Sequence, residues 1–232
     1  MMDFSFLVRY RGDLLAGIGQ TIELSLATVV VGTALALALL PARLSSFTAL
    51  RWAAWILINP FRILPALVLL VWGFYGLPIA LGIRLAPWTV AVFALGLNMA
   101  GFCAEIFRAA VESVPAEQVE AAQLIGLSRY TVMRRVVFPL AARSAFIPYL
   151  TQVLQTFKLT VLAALVGVPE IYMVTANIIQ QTNRPLEGYT ALAVLTFVPL
   201  LLLTIATEVL ERRSERQQRF RSWTWLSLNS SR

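Results

Sequence analysis

Long apolar stretches bounded by charges, prolines or glycines recur five times along the chain, at about 14–40, 52–75, 87–109, 145–168 and 188–210. A helix rising 1.5 Å per residue needs roughly 20 apolar residues to cross about 30 Å of hydrocarbon. The pattern therefore predicts an all-α, polytopic membrane protein with about five transmembrane helices, forming a single transmembrane domain over residues 1–232. An odd number of crossings puts the two termini on opposite sides. The first 13 residues carry Asp3, Arg9, Arg11 and Asp13 instead of a basic-then-apolar leader with a small-residue cleavage site, so the first span is expected to be retained.

Composition removes several classes of function. Of 232 residues 59% are hydrophobic and 13% charged, against about 45–50% and 25% in soluble domains, and the spans leave no length for a large catalytic domain outside the membrane. Histidine is absent and Cys103 is the one cysteine, so no disulfide framework, zinc site or Cys/His pair is possible within the chain. Ser144 and Lys158 lie about 21 Å apart along one helix, too far for a Ser/Lys dyad of an intramembrane enzyme. No G-x-x-x-x-G-K-[ST] phosphate loop occurs, so any work driven by ATP requires a partner.

The net charge of +7 reads as an address. With the N-terminus outside, the cytoplasmic segments hold Arg43, Arg51, Arg108, Arg129, Arg134, Arg135, Arg143, Arg212, Arg213, Arg216, Arg219, Arg221 and Arg232, thirteen of the nineteen bases. The outer segments hold Arg9, Arg11, Arg84 and Arg184, while Arg62 and Lys158 fall inside spans. The positive-inside rule then places the C-terminus in the cytoplasm. The tail Glu211–Arg221, followed by Trp223 and Trp225, suits a helix lying on an anionic membrane surface better than a nucleic-acid arm, since no further basic module accompanies it.

The longest segment between spans, 110–143, is punctuated as short helices. Ser113 is expected to cap a helix with Pro115 and Glu117 in its first turn. Gln118 to Ile125 reads as a short amphipathic helix ended by Gly126 in the left-handed conformation, and Ser128 as the cap of a further helix running toward Pro139.

Glu120, Ala121, Ala122, three residues, Gly126, nine residues, then Val136, Phe138 and Pro139 resemble the EAA loop of membrane subunits of ATP-binding cassette (ABC) importers. The resemblance extends to the polar amino acid uptake permeases, the histidine and glutamine permease-like family. Phe61-Arg62 with Pro65, "YGLP" at 75–78, "AEIFR" at 104–108, "VGVPEI" at 166–171 and "RPLEGY" at 184–189 look like that family's landmarks in its order. The resemblance implies a type I ABC importer permease fold in a bacterial inner membrane, with no catalytic residues and no cofactor or metal of its own. It implies as partners an ATPase dimer seated on the EAA loops, a second permease subunit, identical or related, and an extracytoplasmic solute-binding protein. Glu120, Ala121, Ala122, Gly126 and Pro139 are then the coupling residues.

Ionisable groups within spans cost roughly 2.5–3.5 kcal/mol each on insertion scales, which makes them functional candidates. Glu23, Arg62 and Lys158, the only lysine, are expected to reach a shared layer near the bilayer midplane, with Asn98 as a further candidate on the pathway. Arg62 or Lys158 would meet a substrate carboxylate and Glu23 an amino or guanidinium group; alternatively these charges pair with one another or with backbone carbonyls to fix the helices. Asn59, Pro60 and Pro65 predict a broken second span beside the path. Two departures from the family pattern fall here: Ile63-Leu64 replaces the usual Gly-Thr, and Leu159 replaces the Asp that usually follows the lysine. Glu105 and Arg108, one turn apart, are expected to pair. A channel or an ATP-independent transporter is the competing class, and the inverted pair of broken helices frequent in such transporters is not seen.

Overall fold

The computed structural model describes residues 4–229, with side chains described for residues 4–211. Every regular element among them is helical: α1 (Ser5–Arg9), α2 (Arg11–Arg43), α3 (Thr48–Ile63), α4 (Ala66–Val71), α5 (Leu77–Leu81), α6 (Pro87–Glu112), α7 (Ala116–Leu124), α8 (Arg129–Val132), α9 (Phe138–Leu159), α10 (Ile171–Thr182) and α11 (Pro185–Asn229). Four helical segments are long and apolar enough to cross a membrane: α2, α6, the continuous helix Arg129–Val166 that contains α8 and α9, and Pro185–Glu211 of α11. A fifth apolar segment is bent, Thr48–Ile63 and Ala66–Leu81 meeting at 101°, the geometry of a broken span or of a re-entrant loop.

The bundle is built around α6, whose Val90–Leu95 and Asn98–Ala104 stretches are largely buried. α2 runs parallel to it: Gly32 lies against Gly96 and Met99, and further along Arg43 reaches Glu105. A Cβ on Gly32 would sit 2.9 Å from the Gly96 carbonyl oxygen, so the two backbones meet where neither helix carries a side chain. α9 runs the opposite way. Ala141 and Ala145 cluster with Ala110 near one end of α6, while Ala163 and Val166 cluster with Ala91 and Val92 near the other. The end of the bundle that carries the 113–137 loop is called the loop end below, and the opposite one the far end.

Prolines set the irregularities. Pro65 has no N–H to give the Phe61 carbonyl, and there the helix breaks. Pro78 and Pro139 each follow a widened π turn, Trp72–Gly76 and Met133–Val137, which ends two residues before the ring. The second of these turns lets the loop helix α8 pass into α9 without interruption.

The segment between the fourth and fifth spans, read from the sequence as a connection, contains α10. This 12-residue helix packs Ile171 and Ile178 in one cluster with Phe6, Leu14 and Ala191 and runs outward beside the first turns of α2. Its apolar run is too short to register as a span. The surface placement expected of Trp223 and Trp225 lies outside the described side chains.

Candidate functional site

The first candidate surface is α7. Its nine residues begin at Ala116, with Pro115 and not Ser113 in the cap position: Ser113 donates instead to the Ala110 carbonyl (2.8 Å) and meets the Ser144 hydroxyl (3.2 Å), closing the end of α6 onto α9. Gly126 sits at φ +83°, the left-handed conformation expected of it, and Ser128 accepts from the Thr131 N–H at 3.3 Å. Glu120 and Ala121 are exposed, but Ala122 is buried in a cluster with Val132 and Val137. Its small side chain therefore serves close approach within the chain, not toward a partner. Leu124 (88% exposed), Ile125 (77%) and Tyr130 (72%) stand out beside Glu120 as a mixed apolar and acidic surface on the loop. Pro139 opens α9 in the exposed part of the same helix.

The second is an ionic cluster at the loop end. Glu105 pairs with Arg108 at 2.9 Å, as its spacing predicts, and also with Arg43 at the end of α2 and with Arg62 of α3 at 3.9 Å. Arg108 continues to Glu112. Three guanidinium groups face two carboxylates, which leaves one positive charge in excess. Arg62 also donates to Asn59 Oδ1 at 2.9 Å, and its backbone rests on Gly101, where a Cβ would lie 3.2 Å from the Arg62 nitrogen. Asn98, buried one turn away, donates from Nδ2 to the Phe61 carbonyl at 2.8 Å. That is the carbonyl Pro65 cannot serve, so the broken helix is fastened to α6 at two points, one neutral and one charged.

The structure separates the three charges expected in one layer. Ser25 Oγ donates to Thr160 Oγ1 at 3.4 Å, which puts Glu23 and Lys158 at similar depth. Arg62 lies beside the cluster of Ala36, Ile58, Cys103 and Ala104, about 16 Å farther along α2 toward the loop end. Lys158 is exposed and makes no ion pair among the described residues; it lines a cleft of ≈120 Å³ with Thr21, Ile22, Phe157 and Thr196. Glu23 is exposed too, 3.4 Å from Gln20 Nε2. It follows Thr21 by two residues, about 200° around the helix, and so points away from the face that touches α10 and Thr160.

Glu170 was legible only as part of a landmark, and Glu105 as part of another and as a partner of Arg108. Glu170 is fully buried and caps α10, its carboxylate accepting the Tyr172 and Met173 N–H groups at 2.9 Å each, while the Ile171 N–H is taken by Thr21 Oγ1 at 3.0 Å. Burial pushes its pKa up, against the two N–H bonds that pull it down. Pro169-Glu170 just before an apolar run is the one signal that pointed to this helix start.

A parallel α2–α6 pair, a bent helix pair fastened to α6 and a helical loop feeding a long antiparallel helix define a membrane-embedded helical bundle with an exposed helical loop at one end. Residues 28–216 match the family described as binding-protein-dependent transport system inner membrane component, and the chain belongs to that family. Among its relatives, the probable amino-acid ABC transporter permease protein YckA of Bacillus subtilis is 37% identical over 68% of this chain and 70% of its own length. The octopine transport system permease protein OccM of Rhizobium radiobacter is 34% identical over 92% and 93%. The crystal structure of an amino acid ABC transporter with histidines superposes with a TM-score of 0.85 at 27% identity, covering 92% of this chain and 99% of that one. The fold is that of a type I ABC importer permease, a non-catalytic membrane subunit that leaves ATP hydrolysis to a separate one.

Proposed function

We propose that this subunit translocates a polar amino acid or a related compound, such as an opine, delivered by an extracytoplasmic binding protein, along a path it shares with a second permease subunit. The observation that carries this reading is Lys158: a charge inside an apolar span, exposed on the isolated chain and without an ion-pair partner. Facing lipid it would cost roughly 2.5–3.5 kcal/mol. A second subunit enclosing a wet path removes that cost and leaves the ammonium free to meet a carboxylate. The names of the relatives, amino acid and octopine permeases, support the same substrate chemistry.

Coupling is assigned to α7. Its exposed Ala121 and Leu124, with Ile125 at its C-cap, offer an apolar surface rimmed by Glu117 and Glu120 to a groove on an ATPase subunit, one of a pair. The bias of basic residues toward the loop end supports a cytoplasmic location for that end and an outside N-terminus. Nucleotide-driven closure of the ATPases then shifts the spans between two states. Arg62 and Asn98, spent on the broken helix, hold the wall of the path in this reading, and Lys158 meets the substrate.

Uptake by the reconstituted importer tests the assignment. Lys158→Met is expected to reduce transport while binding of the ligand to its delivery protein and assembly with the ATPase persist. Normal uptake by Lys158→Met, with normal assembly, would remove Lys158 from the path.

A further inference from the structure

The ionic cluster continues outward into a second feature that transport does not use. Arg43, at the last turn of α2, and Arg51, in the first turn of α3, line a cleft of ≈300 Å³ with Trp52 and Trp55. The two indoles stand edge to face, ring centroids 5.4 Å apart, and remain 56% and 40% exposed. Arg51 is exposed and makes no ion pair among the described residues. Arg43 is buried, bound through Nη2 to Glu105, and its Nε has no partner. Since Glu105 is shared among three arginines, the carboxylates within reach do not cancel the charge lining this cleft.

The surroundings decide what kind of anion fits. Phe47, Leu50 and Ile56, on the same turn and helix, are all exposed. A soluble anion has no use for such an apolar rim, whereas a lipid brings hydrocarbon to it and a phosphate to the guanidinium groups. Tryptophan is the residue enriched at headgroup level, and basic pockets between helices at the membrane edge hold anionic headgroups. We propose that this cleft binds the phosphate-bearing headgroup of an anionic phospholipid, its phosphate between Arg51 and Arg43 and its glycerol backbone against Trp52 and Trp55. The site rests on the membrane location of the family and not on the identity of the substrate or the orientation of the chain.

The test uses the complete importer, stripped in detergent and then equilibrated with vesicles of phosphatidylcholine containing phosphatidylglycerol in both leaflets. Lipid retained per permease copy is counted by native mass spectrometry. Wild type is expected to retain phosphatidylglycerol in preference to phosphatidylcholine. Arg51→Gln and the double variant Trp52→Ala, Trp55→Ala are each expected to retain it about fivefold more weakly. Arg143→Gln, at an exposed arginine elsewhere on α9, is expected to retain it as wild type does. Equal retention of both lipids, or unchanged retention in Arg51→Gln, overturns the proposal. So does displacement of the lipid by free glycerol phosphate, which would make the cleft a soluble-anion site. Disulfide cross-linking of Trp55→Cys to a second permease chain would overturn it as well, because the cleft would then lie inside a protein interface.

Discussion

Asn98 has a fixed task, set by a proline 33 residues away in sequence. Replacing it by leucine keeps the volume near but leaves the half-buried Phe61 carbonyl without its donor, which costs about 1–3 kcal/mol; a lower melting temperature of the purified subunit complex is the expected readout. Glu105→Gln is expected to cost more, about 3 kcal/mol, since it strands the buried Arg43, and Arg108→Gln less, because Glu105 keeps Arg43 and the Glu112 left behind is exposed to solvent. Melting temperatures of the two variants give the ranking, and equal values would refute the central place of Glu105. Glu170 adds a pH dependence. Its folded pKa lies above the ordinary 4.5, so the folded state binds this proton more tightly than the unfolded chain does. The stability contributed is complete below about pH 4.5 and is lost as pH rises through the folded pKa. Glu170→Gln, which carries no titrating proton and keeps one of the two cap acceptors, is expected to flatten that slope in thermal melts taken across the acid range.

At the scale of the element, α7 divides its own motif. Glu120 faces outward and Ala122 inward, so the two positions are expected to fail differently. Glu120→Arg should leave thermal stability within about 0.5 kcal/mol of wild type and weaken co-purification of the ATPase. Ala122→Leu, overpacked against Val132 and Val137, should lose about 1–3 kcal/mol along with coupling. The contrast also marks how far the sequence could be read. Gly126 and Ser128 were legible because cap chemistry is local. The side of α7 that Ala122 occupies was not, because two adjacent alanines look alike until a neighbouring helix chooses one. Pro65 announced a broken span, but its fastening to Asn98 depended on which helix would pack beside it. α10 was hidden because 12 apolar-faced residues ended by Thr182 and Asn183 resemble a connection, and only the capping carboxylate of Glu170 distinguishes them.

For the whole molecule, apolar runs carried most of the fold, since the bilayer demands them whatever the packing. The layer of charges was the weakest inference from sequence, for distance along a span says nothing of tilt or of a break at 101°. Glu23 and Lys158 share a depth, yet lie on different faces, and Arg62 belongs to the loop end. In the proposed function, the exposure of Lys158 on the single chain is met by a second subunit.

The uninterrupted helix from Arg129 to Val166 has a mechanical meaning. From its start to Lys158 it runs about 44 Å, and Ala122 seats α7 on its first turns through Val132 and Val137. In the proposed coupling, a push on α7 enters a single shaft that carries Lys158 toward its other end, and the widened turn Met133–Val137 and the helix-interior Pro148 are the yielding points along the way. A pair of glycines at Thr151 and Gln152, both clear of the ionic cluster and of the cleft around Lys158, would soften the shaft in its middle. The expected result is an importer that still hydrolyses ATP but moves less cargo for each turnover, a slipping crank whose engine runs on.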